Sequence, residues 1–231
     1  MKAIARQIVD QYTKSLAPYL QEYALKQDDQ AIGVYQIVGD LLNQKIDQAI
    51  PALVTPAFNK MSSGVIKSTK ATTQKVLGVT VNDIGLGATV DRFRDANIQL
   101  MKKLNDTYLN DVKDELSQPD AFGLTASELG KRISERTGIT ERHAELIARD
   151  QTNKLSGNIN MSRQMQAGVD SYIWSTSQDE RVRDEHAALE GEEFNWPIGD
   201  ASEGNPGDAI MCRCVAIPVI PDFAESDDEE L

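Results

Sequence analysis

Over most of the first 165 positions apolar residues recur at steps of three and four, and beyond Gly168 they begin to alternate with polar ones. A period near 3.6 builds helices with one buried stripe, and a period of two builds strands with one buried face. A change of period at one glycine therefore predicts a helical framework followed by a small sheet. Residues 89–117 carry the clearest stripe: Val90, Phe93, Ile98, Met101, Leu104, Tyr108, Val112 and Leu116. A second runs through Ile32, Tyr35, Ile37, Val38, Leu41, Leu42, Ile46 and Ile50, and is expected to end at Pro51, whose ring removes a backbone donor. Ile4, Ile8, Tyr12, Leu16, Tyr19, Leu20 and Tyr23 mark an earlier helix, with a kink or break at Pro18. The capping pattern Thr125-Ala126-Ser127-Glu128 opens a short helix that Thr137-Gly138 closes. A longer helix follows from Thr140 to Met165, with Gly168 as its C-terminal cap.

From Leu53 to Val81 the apolar residues thin out into Ser, Thr, Lys and Gly, so little helix is expected to be held there by burial. Lys60, Lys67, Lys70 and Lys75 have no acidic neighbour within that stretch. They read either as a solvated helix face or as a strip that touches DNA weakly and in a salt-dependent way. No aromatic residues are interleaved for base stacking, which favours the solvated face. The net charge of -12 sits at the other end. Residues 1–140 carry 17 Lys+Arg against 16 Asp+Glu, and residues 141–231 carry 7 against 20, so the C-terminal part repels a phosphate backbone. No stretch approaches the roughly 20 apolar residues of a membrane helix. The opening residues lack a signal peptide's apolar core, so a cytoplasmic chain is expected.

After Gly168, Val169-Asp170-Ser171-Tyr172-Ile173-Trp174-Ser175-Thr176 reads as a strand, Asp179 to Leu189 as a short helix closed by Gly191, Glu192 to Asn195 as a second strand and Ile210 to Ile220 as a third β-rich segment. The tail after Phe223 is nearly all charge and is expected to be disordered. Cys212 and Cys214 cannot face each other in a good disulfide, but on a strand both sulfurs would lie on one side. With Asp179 and His186 they make a candidate four-coordinate structural zinc site. The plainer alternative is two core thiols and a histidine hydrogen-bonded to Asp179 or a carbonyl. A metal-dependent hydrolase would need an orienting residue and a substrate pocket that the sequence does not display, so no catalytic residue is assigned and an enzyme is not expected.

Four motifs in order carry a resemblance: Leu146-Ile147-Ala148-Arg149-Asp150-Gln151-Thr152, then Tyr172-Ile173-Trp174, then Asp179-Glu180-Arg181-Val182-Arg183 with His186 and Leu189-Glu190-Gly191, and finally Pro206-Gly207 before Cys212-Arg213-Cys214. Over roughly Glu141 to Val219 the chain resembles the phage Mu F-like family of minor head, or head morphogenesis, proteins of tailed phages. The resemblance implies a structural protein of the virion, at the head interior or portal vertex, made in the host cytoplasm and needed for assembling infectious heads. Its implied partners are the portal protein and capsid or scaffold proteins. The alternative it leaves is a DNA-associated internal head protein ejected with the genome. The expected fold is α+β: a mainly helical region at 1–138 that docks on the portal or shell, a small α+β module with a short sheet at 139–222, and an acidic tail at 223–231.

Overall fold

The computed structural model describes residues 29–117 and 126–220, together with Ala3, Arg6, Gln7, Asp10, Gln11, Lys14, Ser15 and Pro18, which are helical. The expected stripe from Ile4 to Tyr23, the capping residue Thr125 and the acidic tail lie outside the described residues. From Asp29 onward come three helices, α1 (Asp29–Leu77), α2 (Leu86–Ser117) and α3 (Ala126–Gln166). They are followed by β1 (Ser171–Ser175), the one-turn α4 (Asp184–Ala187), β2 (Glu193–Asn195) and β3 (Val215–Pro218). The strands form one antiparallel sheet in the order β2-β1-β3, so the fold is α+β and mainly helical. The chain forms two compact units: Met1–Met61 with Asp91–Gln151, and Ser62–Val90 with Thr152–Leu231. Among the described residues no helix is long and apolar enough to cross a membrane.

Two expected helix ends are absent. Helix α1 does not stop at Pro51 but runs on through Pro51 and Pro56. The reason is burial: Ile46, Ile50, Val54 and Phe58 continue one stripe at steps of four, and all four are buried. That burial outweighs roughly 3 kcal/mol per interior proline. The Ser/Thr-rich stretch after Leu53 is helical too, to Leu77. Its hydroxyls turn back on their own helix: Thr69 Oγ1 donates to the carbonyl of Val65 at 2.8 Å and Thr73 Oγ1 to that of Thr69 at 2.8 Å. So satisfied, small polar residues such as Thr73 fill buried positions of the stripe. Likewise α3 passes through Gly138 without a break.

In the first unit α1 and α2 pack antiparallel, since Asp40 meets Lys113 (2.5 Å) while Asp47 meets Asn105 (3.0 Å). Met101, Leu104, Tyr108, Leu109 and Val112 form the buried face of α2. Two amides are buried with them. Asn97 donates to the Phe93 carbonyl at 2.7 Å, and Asn105 donates to Asn43 Oδ1 at 2.5 Å as well as to Asp47. Arg132 on α3 reaches Glu115 on α2 at 2.7 Å.

In the second unit α3 ends as expected at Gly168, in the left-handed region at φ 79. The Gly168 N–H donates to Met165 O at 3.1 Å and the Val169 N–H to Gln164 O at 3.0 Å, the paired bonds of a Schellman cap. The chain then enters β1, where Tyr172 and Trp174 point inward and join Trp196 and Ala216 in the core. Gln164, buried on α3, ties the helix to the core: its Oε1 accepts Trp196 Nε1–H at 2.9 Å and its Nε2 donates to Ala216 O at 3.1 Å. Arg163, wholly buried, donates to Asp83 at 2.6 Å and to Thr69 Oγ1, which fastens the 62–90 segment. The helix expected from Asp179 to Leu189 is reduced to the single turn of α4.

Candidate metal centre

His186 sits on α4, 3% exposed, with its ring edge against Trp174 at 5.4 Å between centroids. The two cysteines lie on the approach to β3 rather than within it. Alternation along a strand is therefore not what brings their sulfurs together. Met211 takes the left-handed conformation (φ 57), the Cys212 N–H donates to Ala209 O at 3.1 Å, and the Cys214 N–H turns back to Cys212 Sγ at 3.4 Å. A close approach of loop to helix fixes the same turn from outside. Asn153 on α3 donates to Cys212 O at 3.0 Å, and the Pro206 carbonyl lies where a Cβ on Gly157 would stand, 2.6 Å away. Only glycine lets the loop come this near.

The result is a cluster of one imidazole and two sulfurs whose donor atoms lie within 4.8 Å of one another. His186 Nδ1 is 3.7 Å from Cys212 Sγ and 3.3 Å from Cys214 Sγ. Around a tetrahedral zinc with bonds of ~2.3 Å to sulfur and ~2.0 Å to nitrogen, that separation is roughly 3.5 Å. Two backbone donors face the Cys212 sulfur as well. Gly207 N–H, at a φ of 103 that glycine tolerates, donates to Cys212 Sγ at 3.4 Å, alongside the Cys214 N–H. Trp174 Nε1–H is buried without a hydrogen-bond partner. Burial pushes the Cys214 thiol up to about 12, and the Cys212 sulfur beside it pushes the same way. Left to itself the Cys214 sulfur stays protonated. A divalent cation would bind both cysteines as thiolates, and a thiolate is the better acceptor for these N–H donors.

Of the four residues expected at the site, three come together and Asp179 does not join them. Its carboxylate is held by Arg213 at 2.5 and 2.6 Å and by the Arg181 N–H at 3.0 Å. The Arg213 guanidinium holds that carboxyl down at about 2. A neighbouring guanidinium competes for the lone pairs a metal would need. In place of Asp179 the structure brings up Glu203, whose Oε2 lies 2.9 Å from His186 Nε2. Glu203 shares its loop with Asp200 and Asp208, and nothing in its spacing singles it out. The lysine strip is interrupted: Lys70 pairs with Asp83 at 3.3 Å, while Lys60, Lys67 and Lys75 are at exposed positions of α1.

A groove of about 410 Å³ passes beside the cysteines, between the C-terminal part of α1, α3 and β3. The hydroxyls of Ser68, Thr69, Thr72 and Thr73 along it donate to carbonyls of their own helix. They turn no free donor into the groove.

The family model described as Phage Mu protein F like protein matches residues 110–217. Over those residues the chain is similar to that family. The match takes in His186, Glu203, Cys212 and Cys214, and it begins about thirty residues ahead of the motifs that carry the resemblance in the sequence. An uncharacterized protein of Haemophilus influenzae is 35% identical over 139 residues, 60% of this chain and 31% of the relative's own length. The chain thus spans about a third of that relative. No solved structure matches.

Proposed function

We propose that the protein is a minor head protein of a tailed phage or prophage, a structural component that docks on the portal protein or the inner shell and is needed to assemble infectious heads. The observation that carries this reading is the Mu F-like match over 110–217. On this reading the role is structural rather than enzymatic, and the protein resides in the virion. Docking falls to the first unit, where Ile37 and Leu41, one turn apart on α1, are 63% and 55% exposed. Apolar side chains left exposed one turn apart suit a partner's surface.

The second half of the proposal is that His186, Cys212 and Cys214 hold a zinc ion. Bound there, zinc would cross-link the module structurally. It would join α4 to the approach of β3 across 26 and 28 residues of chain. The sheet core gathers Tyr172, Trp174, Trp196 and Ala216, and a core so small gains from such a staple.

The test is capture of the portal protein encoded beside this gene by the full chain, with zinc quantified in the same sample. Capture with one zinc per chain is expected, and Ile37→Asp with Leu41→Asp should abolish capture while leaving the zinc in place. Failure of the unaltered chain to capture portal or shell protein overturns the docking reading. Metal-free protein from a preparation without chelator overturns the zinc reading.

A further inference from the structure

The geometry points to Glu203 as a positioning residue of the metal centre, the group that turns His186 Nδ1 toward the two sulfurs. This rests on the zinc reading above. A neutral imidazole carries one proton on one of two nitrogens, and only the bare nitrogen can bind a cation. Nδ1 faces Cys212 and Cys214, so the proton belongs on Nε2, and there Glu203 Oε2 accepts it at 2.9 Å. The ring is 3% exposed, which leaves solvent little access to replace that acceptor. The carboxylate thus selects the tautomer and holds the ring's rotation.

Glu203 is in turn held by the loop around it. The Asp200 carboxylate accepts the N–H groups of Ser202 and Glu203, both at 2.9 Å, and the Ser202 hydroxyl at 2.8 Å. Asp200 and Gly204 exchange backbone bonds of 2.8 and 3.0 Å. Gly199 permits that turn, because a Cβ there would stand 2.3 Å from Gly204 O. Beyond it, Asn205 accepts the Tyr172 hydroxyl at 3.1 Å and donates to Pro197 O at 2.9 Å, which anchors the loop to β1. The order of support runs from Asp200 to Glu203 to His186 to the cation. The loop from Trp196 to Asp208, rich in Gly, Pro and acidic residues, therefore turns one carboxylate to the far nitrogen of His186.

The test strips the full chain with chelator and titrates Zn²⁺ back against a chromophoric competitor, for the unaltered chain, Glu203→Ala, Glu203→Gln and Asp179→Asn. Removing an orienting carboxylate from a metal-bound histidine weakens the metal by about 10- to 100-fold, and that loss is expected for Glu203→Ala. Glu203→Gln keeps an acceptor oxygen and should recover part of it. Asp179→Asn should stay within about twofold, as befits a group outside the ligand set. Melting of the same proteins in excess chelator separates positioning from plain folding. Glu203→Ala should match the unaltered chain there and fall behind only with zinc present. Zinc affinity of Glu203→Ala within about twofold of the unaltered chain overturns the inference while leaving the zinc site standing. So does a loss of melting temperature that is as large in chelator as with zinc. No zinc binding by the unaltered chain overturns the site and the inference together.

Discussion

The two units bury polar groups for different ends. In the first, Asn97 and Asn105 are sunk among Met101, Leu104 and Tyr108, where they bond to a main-chain carbonyl and to Asn43 and Asp47. Such amides cost stability relative to apolar packing, and Asn105, which reaches across to the other helix, instead fixes which turn of one helix meets which turn of the other. In the second, Arg163, Gln164 and His186 are the buried polar residues of α3 and the module, and each fastens separate segments of chain: 62–90, the sheet core and the cysteine loop. The first unit is a set of long apolar stripes that need little else. The second is short on apolar area and long on specific knots, and it should fail when one knot is undone.

Removing the metal should separate them most sharply. Free zinc at a thousand times its dissociation constant stabilises the folded state by about 4 kcal/mol, and chelator should withdraw that from the second unit alone. Segment-resolved hydrogen exchange with and without chelator is the measurement: protection should fall across 171–218 and hold across 91–117. Equal loss in both would erase the contrast. The converse is Met101→Ala, at a wholly buried position of α2. It should cost about 3 kcal/mol in denaturant melts of the first unit and leave zinc stoichiometry untouched.

Gly157→Ala is a sharper probe of the second unit. Alanine favours a helix over glycine by about 1 kcal/mol, so on helix propensity alone the change should stabilise α3. The new Cβ would stand 2.6 Å from Pro206 O, a backbone atom with no easy retreat, and should force the loop outward at a net cost of about 2 kcal/mol. Because that loop carries the Gly207 N–H onto Cys212, zinc affinity should drop in the same variant. A more stable Gly157→Ala chain with unchanged zinc affinity would mean the contact is slack.

What the sequence made legible follows the same division. The α2 stripe, the cap at Gly168 and the strands around Tyr172 and Glu193 were readable because local periodicity and one glycine determine them. The passage of α1 through Pro51 and Pro56 was not, since a proline's local penalty is visible in sequence whereas the burial of Val54 and Phe58 that outweighs it is tertiary. Nor was the helical state of the Ser/Thr stretch, which depends on hydroxyls such as Thr73 turning back to carbonyls. At the site, residue type and order already group His186, Cys212 and Cys214, whose donor atoms lie within 4.8 Å of one another. Asp179 was misplaced because Arg213, between the two cysteines in sequence, takes its carboxylate. Glu203 was missed because a carboxylate that serves a histidine's far nitrogen has no spacing rule.

The smallest expected effect returns to the first unit. Asp40 and Lys113 approach to 2.5 Å, and on distance alone the pair resembles a strong tie between α1 and α2. Asp40 is 66% exposed, however, and water screens most of what the charges gain, while ordering the lysine side chain costs rotamer entropy. Asp40→Asn should therefore change stability by less than about 1 kcal/mol, and less still at high salt. Denaturant midpoints at low and high salt would check it. A loss as large as that of Met101→Ala would mean that charge rather than the apolar stripe holds these helices in register, and the first unit would then resemble the second more closely than its burial indicates.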